Sequence, residues 1–494
     1  MAFAVRFGLL FAVAALTVGA APPHDSLAEF LAAMRLHSGP VWSAHLASVS
    51  HVTESGETVD LKSESQGLRF VSYDCTASLC EGTYFDGERL YSININGTML
   101  PQAHGADPFL RAERTIASLS FLAPDFAETG GHVYDDGLTL ISNVPYRTLL
   151  VTNGDATPML VYVDPKTFAV AYMRDVNADT TIAYDDYVPV GERYQLPLEV
   201  YQNGALLERY DRREPAQGNL ELPRGLVPTF SSRPATVATD QEYVTPIFPC
   251  TLSGVVTKCL LDSGNSGMAI SPSLAQQIRA QAVGSFQVRG LGNYTTEVVH
   301  AGELRAGSMT LPPANYVVLR DIDRFGYQVV LGADVFAATT VELNNASHQV
   351  VFGAPVPPRS VTVPLAFEQF VPVVDVLLGS LPAQLALDTG DESSINLAYD
   401  FYQAHRDLFP PTSERPVEGV GGTSVEILGT IPQVEIGNLS IRSSTIGATQ
   451  TLAGTALGHL GAALLSRFDV TIDYASSEIH FIPLASDADQ PANH

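Results

Sequence analysis

Two aspartates at the ends of two similar apolar strands, 126 residues apart, constrain this chain more than any other feature. A hairpin pattern with a glycine turn leads into CLLDSGNSG and reaches Asp262-Ser263-Gly264; later FVPVVDVLLGSLPAQLALDTGDES reaches Asp388-Thr389-Gly390. Downstream lie VRGLGN (Val288 to Asn293) and VEGVGG (Val417 to Gly422), and then VVLGADVF (Val329 to Phe336) and GHLGAALL (Gly458 to Leu465). Val288 to Gly332 and Val417 to Gly461 are both 44 residues. Three landmarks in one order at nearly equal spacing read as an internal duplication. The proline-containing FGAPVPPRS (Phe352 to Ser360) suits a short stiff connector between the halves.

Either Asp-[Ser/Thr]-Gly alone is compatible with a surface turn. The pair, each at the exit of an apolar strand and at the same place in a repeat, points instead to a reaction centre. Two carboxylates held face to face share a proton, and their pKa values split. One is then a base for a water held between them while the other is an acid for a peptide carbonyl, so amide hydrolysis needs neither a covalent intermediate nor a metal. Leu260, Leu261, Ala386 and Leu387 would desolvate the pair. Ser263 and Thr389 offer hydroxyls to hold the loops in register, and Gly264 and Gly390 allow close backbone approach. A duplicated chain supplies both aspartates, so a monomeric pseudo-dimer is expected.

At 494 residues the chain predicts about three domains. MAFAVRFGLLFAVAALTVGA has a basic Arg6, a short apolar run and a small-residue end, the layout of a secretory signal cut after Ala20. A membrane anchor is the alternative, but the run is shorter than the ~20 residues a span needs. No integral membrane segment is expected after removal, and the protein is expected to be secreted or periplasmic. The net charge of −26 argues against nucleic acid and anionic membrane as partners. Cys75 with Cys80 and Cys250 with Cys259 form local pairs, as expected of disulfides in an oxidising compartment. In PCTLSGVVTKC a turn at Gly254-Val255 would place Cys250 directly opposite Cys259. No CxxC spacing appears and the histidines are scattered, so no metal or other cofactor is expected. Asn96, Asn293, Asn345 and Asn438 begin Asn-x-[Ser/Thr] sequons.

The N-terminal part opens with an amphipathic helix over 25–36, capped by Asp25 or Ser26, and a second helix is predicted over 108–124. Between and after them, short alternating runs such as GLRFVSYDC, RTLLVT, PMLVYVDP and LPLEVYQNG read as an antiparallel meander. Residues 213–240, rich in Pro, Ser and Thr, read as a linker with a boundary near 225.

Residues 240–484 resemble two retropepsin-like aspartic protease domains in tandem. The matching motifs are Asp262-Ser263-Gly264 and Asp388-Thr389-Gly390, the glycine-marked flap segments at 290–293 and 419–422, and the triplets Val330-Leu331-Gly332 and His459-Leu460-Gly461. The run LGAALLSRFDVTIDYASSEIHF resembles the family's ending. By resemblance Asp262 and Asp388 are the catalytic dyad, supported by Ser263, Gly264, Thr389 and Gly390, with Val330, His459, Gly292 and Gly421 at the substrate cleft. The implied fold is mainly β, a closed pair of β-barrels of about six strands each, and the implied partner is a peptide or protein substrate. Asn265 and Asp391 depart from the small residue usual after the loop glycine, and His459 replaces an apolar residue. The N-terminal meander, a half-barrel of α+β type, loosely resembles periplasmic lipoprotein carriers. The expected layout is a signal (1–20), an N-terminal β domain (21–225), a linker (226–240), two retropepsin-like domains (241–356 and 357–485) and a tail (486–494). The leading expectation is an exported aspartic endopeptidase. The alternatives are a catalytically silent peptide-binding protein, or a lipid or peptide carrier working through the N-terminal domain.

Overall fold

The structure is a computed structural model and describes residues 26–484, apart from short stretches at 41–44, 55–56, 77–78, 103–106, 176, 178, 185–187, 191, 195–196, 216–221 and 450–455. The proposed signal and the tail therefore lie outside the described residues. The protein is mainly β with several large sheets. Its described residues divide into two compact units: those within Met1–Thr76, Gly82–Leu90 and His104–Leu222 form the first, and those within Ala77–Glu81, Tyr91–Ala103 and Pro223–His494 the second.

In the first unit the helix Leu27–Ser38 starts at Ser26, whose hydroxyl accepts from the Glu29 amide while the Glu29 carboxylate accepts from the Ser26 amide. This capping box satisfies two of the donors a helix start leaves open. The second helix is shorter than the expected 108–124: it spans Asp107–Ala117 and is followed by a 3₁₀ turn at Ser120–Leu122. Leu119 has a φ of 54°, and the Ser118 hydroxyl donates back to the Arg114 carbonyl, so the chain leaves the helical path there. The meander runs in antiparallel pairs from Gly131–Ile141 through Val144–Asn153, Met159–Val163, Val170–Asp175, Thr180–Tyr184 and Pro197–Gln202 to Ala205–Pro215. That last strand pairs with His45–Glu54, which continues to Glu57–Gln66 and Arg69–Thr76. Its apolar face is filled from within: Phe30, Met34, Ile116 and Phe121 pack on Leu149, Val161, Val163 and Met173.

In the second unit a six-stranded antiparallel sheet runs in the order Ala235–Ala238, Gln349–Phe352, Val341–Asn344, Phe468–Asp473, Glu478–Pro483, Val361–Pro364. It draws strands from both aspartate-bearing segments. Each segment adds a further sheet, built around Ile247–Leu252 with Val255–Leu261 and around Val371–Leu378 with Leu381–Asp388. One continuous core joins them, including Phe248, Leu261, Phe352, Leu387 and Phe481. Part of the stretch read as linker is ordered sheet: Thr229–Phe230 and Ala235–Ala238 are both strands, and burial of Ala235 and Val237 explains why a Ser/Thr-rich segment pairs. The first unit's sequence neighbours at Tyr91–Ala103 also belong here, which a contiguous reading of domains does not anticipate.

All cysteines are paired. Cys250 and Cys259 are bridged with a Cα separation of 5.9 Å. They do not sit directly opposite, as the turn assignment implied. The turn is Ser253-Gly254, with φ of 50° and 84°, so Cys250 faces Thr257 and Cys259 faces Phe248. Residues 250 and 259 are diagonal neighbours on one sheet face, a spacing still within a disulfide's reach.

Candidate active site

Asp262 and Asp388 each leave a strand that is buried to its end. Leu261 and Leu387 are fully buried, and Leu260 and Ala386 nearly so. In the first segment Val255–Leu261 runs parallel to Val329–Leu331, with Leu260 opposite Val330 and Leu261 opposite Leu331. In the second, Leu381–Asp388 runs parallel to Gly458–Gly461, with Ala386 opposite His459 and Leu387 opposite Leu460. Matched registers bring the two aspartates to matched strand ends.

The loops then lock onto each other. The Ser263 amide donates to Thr389 Oγ1 at 3.0 Å, and the Thr389 amide donates to Ser263 Oγ at 3.1 Å. Each hydroxyl in turn donates to the opposite strand: Ser263 Oγ to the Leu387 carbonyl at 2.6 Å and Thr389 Oγ1 to the Leu261 carbonyl at 2.8 Å. Both side chains are fully buried, so these four bonds satisfy groups that would otherwise cost desolvation energy. The amides of Gly264 and Gly390 donate to Oδ1 of Asp262 and Asp388, each at 2.9 Å, and orient the carboxyls. Glycine is required at both places by the opposite carboxyl: a Cβ on Gly264 would lie 2.5 Å from Asp388 Cγ, and one on Gly390 2.5 Å from Asp262 Cγ.

The two carboxyls face each other across the paired loops and are close enough to couple electrostatically. Burial pushes Asp262 well above the ordinary carboxylate value, and the charge of Asp388 adds to the rise. Burial also raises Asp388, opposed chiefly by the charge of His459. Two facing carboxylates coupled in this way cannot both ionise easily.

His459 and Asp391, the two departures in the second segment, both face Asp388. His459 Nδ1 lies 3.3 Å from Asp388 Oδ2 and 3.7 Å from Asp391 Oδ2. Burial works to raise Asp391, but its interaction with His459 and the bond from the Ser393 amide outweigh that and hold it below the usual value. Asp388, Asp391 and His459 are also the described groups with ligand atoms close enough to hold a cation, all within 4.8 Å of one another. Asn265 accepts from the Ala333 amide through its backbone carbonyl at 2.9 Å, while its side-chain nitrogen is buried with no hydrogen-bond partner among the described residues.

The glycine segments form the tips of two hairpins, Gln281–Arg289 with Asn293–Ala301 and Pro411–Gly419 with Gly422–Ile436. The tips touch: the Leu291 amide donates to the Val420 carbonyl at 2.9 Å, Gly292 lies against the backbone of Gly421, and Arg324 pairs with Glu418 at 3.4 Å. Val330 is buried with Val288, Leu319 and Ile322, with Val420 packed against them.

Three site features lack a plain signal in the sequence. Tyr327 and Tyr474 sit close enough to the pair to feel its charge, which adds to burial in suppressing their ionisation. Asp334, buried at the start of helix Ala333–Ala338, accepts from Asn94 Nδ2 at 2.8 Å, from Asn96 Nδ2 at 2.8 Å and from Thr98 Oγ1. Asn94 Nδ2 also reaches the Ser266 carbonyl at 3.1 Å, tying this segment to the loop that follows Asp262. Asn96 begins a sequon, which did not identify a partner 238 residues away.

A family model described as aspartyl protease matches residues 248–335, which include Asp262 and end just after Asp334. No curated protein matches the chain.

Proposed function

We propose that this protein is an exported aspartic endopeptidase that hydrolyses peptide bonds with water activated between Asp262 and Asp388, on two retropepsin-like domains in tandem. The observation that carries the reading is the pair of facing carboxyls, Asp262 and Asp388, brought together by the reciprocal Ser263 and Thr389 bonds. The aspartyl protease match over 248–335 supports it for the first of the two loops.

The chemistry follows from one proton shared by two carboxyls. The ionised member takes a proton from water as the water oxygen bonds to the peptide carbonyl carbon. The protonated member gives its proton to the carbonyl oxygen. The tetrahedral adduct then collapses: the carboxyl that took the water proton gives it to the amide nitrogen, the other takes a proton back from a hydroxyl of the adduct, and the C–N bond breaks, leaving one proton on the pair. An extended peptide suits a site flanked by two hairpins, whose backbone groups can pair with it. Rate should fall as pH rises through loss of the shared proton, so an optimum on the acid side is expected. Activity still climbing above pH 8 would contradict this.

The test is mass-spectrometric profiling of a mixed peptide library from pH 3 to 7 with wild-type protein and Asp262→Asn. Wild type should give defined cleavage sites that the variant loses by ~10²–10⁴-fold, the usual contribution of a positioned acid or base. Equal cleavage by the two would remove the proposal. In this reading the N-terminal β unit is an accessory to the protease.

A further inference from the structure

The two strand ends that deliver the aspartates match in register but not in charge. Opposite Leu260 stands Val330, an aliphatic residue, and opposite Ala386 stands His459. Three residues beyond Asp262 is Asn265, neutral; three beyond Asp388 is Asp391. A histidine–aspartate pair has thus been placed beside one aspartate of the dyad, with neutral residues at the same positions beside the other.

We infer that His459, held by Asp391, is a positioning residue that breaks the symmetry of the dyad, making Asp388 the ionised base and Asp262 the proton-bearing acid. The inference rests on the reading of Asp262 and Asp388 as a hydrolytic pair. Histidine is cationic at acid pH, and His459 Nδ1 at 3.3 Å from Asp388 Oδ2 puts that charge on one carboxyl. Asp391, 3.7 Å from the same nitrogen, aims the ring and is itself fixed by the Ser393 amide at 2.8 Å. In hydrolysis, Asp388 accepts the water proton as the new C–O bond forms, and Asp262 gives its proton to the carbonyl oxygen.

The groups around the imidazole support this division. On the adjoining strands are Asp388 and, opposite His459 on Ile395–Ala398, the uncharged Asn396. The following loop brings Asp391, while its neighbour Glu392 is exposed. Across the pair lie Asp262 and the phenols of Tyr327 and Tyr474, which burial keeps neutral. Burial lifts both dyad carboxyls, but the charge of His459 opposes the rise at Asp388, whereas Asp388 itself reinforces it at Asp262.

Each variant that tests this gives the second site the residue of the first: His459→Val and Asp391→Asn. Carboxyl titration of the full chain by ¹³C NMR of labelled aspartate needs no turnover, so it reads the inference even if no peptide is cut. Peptide cleavage read alongside it reports separately on the hydrolytic proposal. His459→Val should move the first ionisation of the dyad to higher pH, its ionisation constant falling at least about tenfold, the low end for losing an opposite charge at this distance. Asp391→Asn should move it the other way, because a negative neighbour is removed. His459→Lys should restore the wild-type position, and His459→Gln serves if the valine variant does not fold. In the wild type the first carboxyl to ionise should be Asp388, assigned by its disappearance in Asp388→Asn. Shifts in the same direction for His459→Val and Asp391→Asn, no shift in either, or first ionisation at Asp262 would overturn the inference. With an active enzyme, the acid limb of kcat should follow the same opposite shifts.

Discussion

Ser263 and Thr389 each donate a backbone amide to the other's hydroxyl, at 3.0 and 3.1 Å, in a fully buried setting. Those two bonds decide how far apart the aspartates one residue earlier can stand. Thr389→Val keeps the shape but leaves the Ser263 amide and the Leu261 carbonyl short of a partner. A loss of about 1–3 kcal/mol for each group left unsatisfied is expected from denaturant unfolding, with a fall in kcat. An unchanged midpoint would mean the hydroxyl network contributes nothing to the site.

Gly264→Ala and Gly390→Ala probe the same approach sterically. Either methyl would have to displace the opposite carboxyl, since each Cβ would sit 2.5 Å from its Cγ. A misplacement near 1 Å costs on the order of 100-fold in rate. Steady-state kinetics should show that loss in kcat while circular dichroism shows a retained β fold.

Stability should depend on pH in the sense opposite to ordinary acid denaturation. Asp262 has a folded-state pKa well above that of an unfolded aspartate, near ~3.9. Its contribution to stability is present below that unfolded value and is lost as pH rises through the folded one. Asp388 and Asp334 are raised in the same sense, while the lowered Asp391 works the other way, losing its contribution as pH falls. The thermal midpoint of Asp262→Asn should therefore gain on the wild type as pH rises from 4 to 8. A constant difference across that range would contradict the raised pKa.

Asn94, Asn96 and Thr98 hold a carboxylate that is buried in the second unit. Thr98→Val removes a bond to an acceptor that cannot reach water, so about 1–3 kcal/mol of stability should be lost. Because Asn94 also holds the Ser266 carbonyl, Asn94→Ala should lower kcat as well as the unfolding midpoint. If the kcat of Asn94→Ala matches wild type, the segment supports the fold but not the loop.

What could be read from the sequence was whatever local pattern and repetition encode. Apolar strands ending in Asp262 and Asp388, the hydroxyls of Ser263 and Thr389, and the hairpin tips at Gly292 and Gly421 all lie on short, strongly patterned runs. The orientation of Asp391 and His459 was not encoded that way, because it depends on which strand the Gly458–Gly461 segment pairs with. Asp334 and Asn94 share no local signal, being joined only by tertiary packing. The disulfide turn was misplaced by one residue because Ser253 takes a left-handed conformation that glycine or asparagine would more readily signal.

The most direct measurement of the central claim compares kcat/KM for one cleaved peptide across wild type, Asp262→Asn, Asp388→Asn and the double variant. Residues acting as one unit are non-additive. Each single variant should fall by ~10²–10⁴-fold, and the double variant should fall no further than the worse single one. A single variant that keeps wild-type kcat/KM, or losses that simply multiply in the double variant, would contradict a shared-proton pair.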